Sequence, residues 1–360
     1  MANLSPGGIQ NVVIRLSKGM IQKGYRVHIL VLNRRGRITK TIPPGAQLFD
    51  FNTTSKVTLI PKLVRYLRKQ KPDGLVSSQP HINVAAILSN LLAGAKVRIV
   101  VSEHSDPQMA YKYRASKGRR VTKPYLERIF YPKAHAIVAV SEGVAAGISA
   151  VARIPKDHVR VIYNPIVDRE LVALSKEKVS WPFEKKEGFV RLLAVGRLNP
   201  AKDYATLLHA FDIFRKKNDA QLLILGEGEK RSALEELIKR LQLGKLVALP
   251  GHVENPFAYM SIADVFVSSS TWEGFSMVIA EALACGLQVV STDCPSGPAE
   301  ILEAGKYGWL VPTRRPAELA EAVQKALKNP LPKHMLRERA SFFSTEKAVL
   351  HYSKVLGLPS

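Results

Sequence analysis

Acidic residues are scarce in this 360-residue chain: 30 Asp or Glu stand against 53 Lys or Arg, for a formal net charge of +23. Cysteine is scarcer still, with only Cys285 and Cys294, and two thiols make neither a disulfide framework nor a four-ligand zinc site. No apolar run approaches the roughly 20 residues that a membrane-spanning helix needs. The opening residues, Met-Ala-Asn-Leu-Ser-Pro-Gly-Gly, lack the basic segment and apolar block of a secretory signal. Low-complexity tracts and internal repeats do not stand out. These absences argue against a disulfide-stapled secreted module, an integral membrane protein and a solenoid. They leave a globular protein expected in a reducing cytoplasm.

What is present is strand-helix alternation, twice over. In the first half, strand-like apolar runs occupy Val27–Leu32, Gly74–Ser77, Val97–Ser102, Ala136–Val140 and Val159–Tyr163. A helical pattern at Ile9, Val12, Val13, Leu16 and Met20 closes at Gly24. The second half offers Arg191–Val195, Gln221–Leu225, Leu246–Leu249, Val265–Ser268, Gln288–Ser291 and Trp309–Val311. Loops of Gly, Asn, Pro or Ser followed by amphipathic helices separate them, which is the pattern of parallel sheets covered on both faces. The expected fold class is α/β, with two doubly wound domains. The first spans 1–165 and the second 166–338, with a linker through Asn164-Pro165 and the polar run 176–186.

The positive charge sits almost wholly in the first half. Residues 1–165 carry 27 Lys or Arg against 7 Asp or Glu, whereas the remainder carries 26 against 23. Between Tyr111 and Lys133 basic and aromatic side chains interleave, with Arg114, Arg119 and Arg120 among them. Such a stretch suits an anionic membrane surface, where each Lys or Arg contributes about 1 kcal/mol. Nucleic acid or a merely soluble basic face are the other readings.

In doubly wound sheets ligands bind beyond the carboxyl ends of the strands. After the Val265–Ser268 strand comes Glu273-Gly274-Phe275-Ser276, then a helix that carries Glu281. The N–H groups of Gly274, Phe275 and Ser276 at a helix start suit a negative group, while two carboxylates suit hydroxyls. Sugar nucleotides present both features. Arg197 and Lys202, in the loop after the first strand of this domain, are natural partners for a diphosphate. A helix N-terminus is otherwise an unfavourable place for cations. The chain has no Asp-x-Asp, and Glu227-x-Glu229 reads as a turn before a helix, so no metal is expected.

Five elements of the second half together resemble family 4 of the retaining glycosyltransferases, with the GT-B fold. They are Gly196-Arg197-Leu198 with Lys202-Asp203-Tyr204, Gly226-Glu227-Gly228, the Glu273-x7-Glu281 segment, Pro295-Ser296-Gly297-Pro298-Ala299-Glu300-Ile301, and Gly308-Trp309-Leu310-Val311. In the first half, Ser5-Pro6-Gly7-Gly8 is similar to the family's glycine loop and Glu103-His104-Ser105 to its histidine loop. The resemblance implies that two Rossmann-like domains face an interdomain crevice. It implies that Arg197 and Lys202 hold the diphosphate of a nucleoside diphosphate sugar, most plainly a UDP-sugar, with Gly7 and Gly8 approaching it. The backbone at His252 and Val253 would meet the base, and Glu281 the ribose. Glu273 would contact the transferred sugar, with N–H groups near Phe275 and Ser276 beside it, and His104 would position that sugar near the reacting carbon.

The activity so implied is metal-independent, cofactor-free transfer of a hexosyl or N-acetylhexosaminyl unit with retention. The basic first half suggests a membrane-associated glycan or polyprenyl-diphosphate-linked acceptor, on a peripheral enzyme at the inner face of the cell membrane, and no nucleic acid partner. The stretch from His334 to Leu356 resembles the family's last helix, which crosses back to the first domain (339–360). One departure is that the family begins with an apolar strand before the glycine loop, whereas Gly7 is reached here after six residues. Either the sequence starts inside a longer one, or the first sheet lacks a central strand. A nucleotide-sugar 2-epimerase of the same fold and a basic nucleic-acid-binding module are the alternatives. A dinucleotide oxidoreductase is disfavoured because Arg231 stands where a third glycine belongs.

Overall fold

A computed structural model describes residues 7–33, 42–116, 123–183 and 188–359. The chain divides into two compact units, residues 1–166 with 344–360, and residues 167–343. Each is a Rossmann-like α/β unit built on parallel strands.

Among the described residues the first unit contains six strands: β1 His28–Val31, β2 Gln47–Asp50, β3 Gly74–Ser77, β4 Arg98–Glu103, β5 Ala136–Ala139 and β6 Val159–Val161. Ahead of β1 lies α1 Gly8–Gln22, and between the strands lie α2 Lys56–Gln70, α3 Pro80–Ala93, α4 Pro107–Ser116, α5 Lys123–Phe130 and α6 Glu142–Ala152. Local chemistry sets the starts. Ser55 Oγ accepts from Val57 N at 3.3 Å ahead of α2, Ser141 Oγ accepts from Val144 N at 3.2 Å ahead of α6, and Pro80 opens α3. The strands form two separate sheets, β1-β2 and β3-β4-β5-β6. A cavity of about 300 Å³ is lined from both β1 and β3, with Val12, Leu16 and Met20 of α1 over it. The described strands of this unit thus fall into two sheets. The β2 strand is an addition to the expected set. Gln47-Leu48-Phe49-Asp50 has too few apolar positions to announce itself.

The stretch 334–356 is two helices and not one. Lys333–Ser341 ends before Phe343, and a new helix runs over Thr345–Leu356, where Ser344 Oγ accepts from Lys347 N at 3.3 Å. The second of these belongs to the first unit. Val349, Tyr352 and Leu356 pack with Val100, Val138 and Ile162 in one core. Arg98 Nη1 donates to the carbonyls of Leu356 and Gly357 at 2.7 and 2.8 Å. These bonds also satisfy carbonyls that a helix end leaves without intrahelical partners.

The second unit has one six-stranded sheet in the order β12-β11-β10-β7-β8-β9. Its strands are β7 Val190–Val195, β8 Ala220–Leu225, β9 Val247–Gly251, β10 Val265–Ser268, β11 Gln288–Thr292 and β12 Trp309–Val311. Its helices are α7 Arg169–Leu174, α8 Tyr204–Arg215, α9 Arg231–Arg240, α10 Pro256–Ile262, α11 Met277–Cys285, α12 Pro298–Ile301, α13 Pro316–Lys328 and α14 Lys333–Ser341. β8 is buried at every position, as a central strand covered on both faces must be. Leu222, Ile224, Phe211 and Val323 share one core, where each buried side chain of this size contributes roughly 1.5–3 kcal/mol.

Candidate active site

In the second unit the chemistry gathers at the carboxyl ends of β7, β8 and β10. The β7 and β8 loops touch through their backbones. Gly226 has φ +144°, and a Cβ there would lie 2.0 Å from the carbonyl oxygen of Gly196. Only glycine fits such an approach. Gly196 N donates to Leu225 O at 2.9 Å and Leu198 N to Glu227 O at 2.9 Å, which fixes the loop holding Arg197 to its neighbour. The β10 loop is tied to the same place. Thr271 N donates to Ala201 O at 2.7 Å, and Ser269 Oγ donates to Lys202 O at 2.8 Å.

These ties bring Lys202 and Glu273 together. Lys202 Nζ lies 2.6 Å from Glu273 Oε1, and both side chains are mostly buried. Ser270 Oγ donates to the same Oε1 at 2.7 Å. The fully buried Tyr204 hydroxyl is nearby; burial first, and the Glu273 charge second, raise its pKa well above the ordinary value. Cys294 has its thiol pushed up to about 12 by burial and then by Glu273, so it stays a neutral thiol at physiological pH. Arg197 is less committed. It is 73 % exposed and stands 3.6 Å from the exposed Glu229, so its guanidinium can turn to a ligand at little cost.

Helix α11 follows directly. Ser276 is its N-cap residue and is 1 % exposed, and its Oγ has no hydrogen-bond partner among the described residues. The Pro295–Ile301 turn supports this end. Gly297, at φ +111°, would put a Cβ 3.2 Å from Ser276 N and from Phe275 Cα, so the motif's glycine lets one loop pack on the other. Phe275 stacks edge-on against Phe343 at 5.3 Å between centroids. Glu281 is buried within α11. His252 and Val253 lie just past β9, with the imidazole exposed.

The remaining expected residues lie in the first unit. Gly7 caps α1, Gly8 is its first residue, and both are exposed. His104 follows β4 and is partly buried. Its Nε2 is 3.2 Å from Ser102 Oγ. Burial lowers its pKa to about 4, against a weaker opposing hydrogen bond with Asn164. The imidazole is thus neutral at pH 7, which suits a positioning group and not a resident proton donor. Its neighbour Glu103 is buried, accepting from Asn83 Nδ2 at 2.9 Å and from the Tyr131 hydroxyl.

The basic-aromatic stretch divides between interior and surface. Tyr131 is buried on Glu103, and Tyr111 donates to the buried Glu127 at 2.5 Å. Arg128 Nε is spent on Val151 O at 3.0 Å. The outward face of α5 carries Tyr125, Leu126 and Ile129, exposed by 68, 45 and 54 %. Arg119 and Arg120 lie outside the described residues, as does the side chain of Arg114. No helix among the described residues is long and apolar enough to cross a membrane.

Sequence reasoning missed Ser270 and Tyr204 as members of the site. The hydroxyl run Ser268-Ser269-Ser270-Thr271 was visible only as a loop signal, since periodicity carries no information about side-chain partners.

The model for "Glycosyltransferase Family 4" matches residues 6–170, and that for "Glycosyl transferases group 1" matches residues 175–341. A Campylobacter jejuni protein named N-acetylgalactosamine-N,N'-diacetylbacillosaminyl-diphospho-undecaprenol 4-alpha-N-acetylgalactosaminyltransferase is 31 % identical over 319 residues. The match covers 86 % of this chain and 84 % of that protein. The N-acetyl-alpha-D-glucosaminyl L-malate synthase of Bacillus anthracis is 22 % identical, with 98 % and 94 % covered. Among solved structures, sucrose-phosphate synthase from Thermosynechococcus elongatus superposes with a TM-score of 0.80 at 22 % identity, covering 98 % of this chain and 94 % of that one. Anabaena HepE in complex with UDP gives 0.76 at 18 %, covering 99 % and all of that chain.

Proposed function

This chain belongs to the family 4 glycosyltransferases, with the GT-B fold, and we propose that it moves a hexosyl or N-acetylhexosaminyl unit from a UDP-sugar to a lipid-linked glycan with retention at the anomeric carbon. The observation that carries this reading is the cluster of Lys202, Ser270 and Glu273 at the start of α11. A cation, a carboxylate and a helix N-terminus lie within one small volume, and Glu281 is buried further along the same helix. In this reading Arg197, Lys202 and the α11 N-terminus take the diphosphate and stabilise it as it leaves. Glu273 holds the sugar through its hydroxyls, and Glu281 binds the ribose. The backbone beside His252 and Val253 meets the base, and Gly7 and Gly8 approach the phosphates. His104, neutral, orients the sugar.

As the bond between the anomeric carbon and the phosphate oxygen breaks, the carbon gains oxocarbenium character. The acceptor hydroxyl attacks on the face the diphosphate leaves, and its proton passes to the departing phosphate oxygen. Two cations suffice to offset the leaving charge, so activity should survive chelation. For the acceptor, the exposed Tyr125, Leu126 and Ile129 on a strongly basic half support docking on an anionic membrane from the cytoplasmic side. The Campylobacter relative's printed acceptor, a diphospho-undecaprenol saccharide, supports the same class.

The test is a donor screen read by mass spectrometry, with mixed bacterial membrane lipids as acceptor. Appearance of a lipid-linked saccharide heavier by one hexose or N-acetylhexosamine is the expected result. Release of UDP without a lipid-linked product, or formation of an epimerised nucleotide sugar, would defeat the proposal.

A further inference from the structure

We infer that Ser270 is the positioning residue for Glu273, holding one carboxylate oxygen so that the other is presented to the sugar; the inference rests on the donor-site reading above. Ser270 is fully buried, at 0 % exposure. Its Oγ donates to Glu273 Oε1 at 2.7 Å, the oxygen that Lys202 Nζ also meets at 2.6 Å. Both donors therefore crowd one oxygen. Ser270 is itself held from behind, since Thr292 Oγ1 donates to its carbonyl at 2.5 Å and Thr292 is buried on β11. The two flanking residues are fastened to the β7 loop, Ser269 to Lys202 O and Thr271 to Ala201 O. The hydroxyl thus belongs to a rigid backbone, whereas Lys202 reaches Glu273 along a flexible four-carbon stem.

That difference matters once a donor arrives. A diphosphate draws the Lys202 ammonium toward itself, and the bond from Ser270 is the one left to fix the carboxylate. Losing a neutral donor to a charged group lowers the rate by roughly tenfold to a hundredfold.

The experiment uses the full chain with a donor and acceptor found active for the unmodified protein. If no pair is active, the donor-site reading fails and not this inference. With an active pair, Ser270→Ala should lower kcat by about tenfold or more and leave the donor KM and the UDP Kd within about twofold, because its partner acts on the sugar and not the nucleotide. Ser270→Thr, which keeps the hydroxyl, should recover most of the loss. In a Lys202→Met background the Ser270→Ala factor on kcat should stay about the same, since the diphosphate has already drawn the ammonium off Glu273 in the working complex. An unchanged kcat in Ser270→Ala overturns the assignment, as does a UDP Kd weakened by the same factor as kcat, or a failure of Ser270→Thr to recover activity while UDP still binds.

Discussion

In residues 167–343 six parallel strands share one sheet, and Lys or Arg nearly balance Asp or Glu; in the other unit six strands split into a pair and a quartet, over a chain segment with 27 basic against 7 acidic residues. The two units have the same plan of strands and helices. They differ in what surrounds the plan. The second unit ties its functional loops to one another with backbone bonds and close glycine contacts. The first holds its one candidate catalytic side chain, His104, through Ser102 and Asn164, and keeps buried glutamates beneath an exposed apolar helix face. Under the proposed function this is a division of duties: fixed geometry suits the nucleotide half of the donor, and a charged surface suits an anionic acceptor.

The sharpest way to break that division is Glu273→Gln. It should lower turnover by about a hundredfold to a thousandfold while UDP affinity stays near normal, measured by initial rates and calorimetry; a loss of UDP binding of similar size would remove Glu273 from the sugar. His104→Asn should act on pH dependence. The folded pKa of about 4 lies below the ordinary 6.5, so the unfolded chain takes up the proton first and stability falls as pH drops from about 6.5 toward 4. This one group contributes about 3 kcal/mol to that fall. Urea titrations at the two pH values should show a correspondingly flatter decline in His104→Asn, and an unchanged slope would mean the imidazole is not buried as described. Glu281→Ala should weaken UDP by about tenfold or more, with little effect on the first unit's surface properties. The smallest effect is expected from Leu126→Glu with Ile129→Glu on α5. Both side chains face outward, so folding and UDP binding should be unaltered while binding to anionic vesicles falls severalfold; vesicle binding equal to that of the unmodified chain would sever the α5 face from the acceptor.

The sequence exposed most of this plan because buried parallel strands are written as continuous apolar runs. Gly74–Ser77, Val265–Ser268 and Trp309–Val311 were legible to the residue. β2 was not, since a short edge strand with polar ends carries no such run. The break at Phe343 escaped because apolar spacing continues across it, although Ser344 offers a side-chain cap. At the candidate site, Arg197 and Glu273 stand in the sequence as charged residues beside glycines after strand ends, Lys202 as a cation in the same loop as Arg197, and Glu281 as a carboxylate within the following helix. That Lys202 and Glu273 would meet one another, that Ser270 would join them, and that Tyr111 and Tyr131 would turn inward to glutamates depends on pairing across distant segments, which no local pattern encodes.

The Lys202–Glu273 pair has one more consequence. In the resting site each group serves as counterion to the other, so these two charges offset one another while the site waits. Under the proposed assignment a diphosphate draws the ammonium off the carboxylate, and Glu273 then meets the sugar with its charge no longer offset. A free hexose, having no phosphate to offer, meets a carboxylate whose charge the ammonium still offsets. The pair then works as an interlock, with the nucleotide half of the donor as its key.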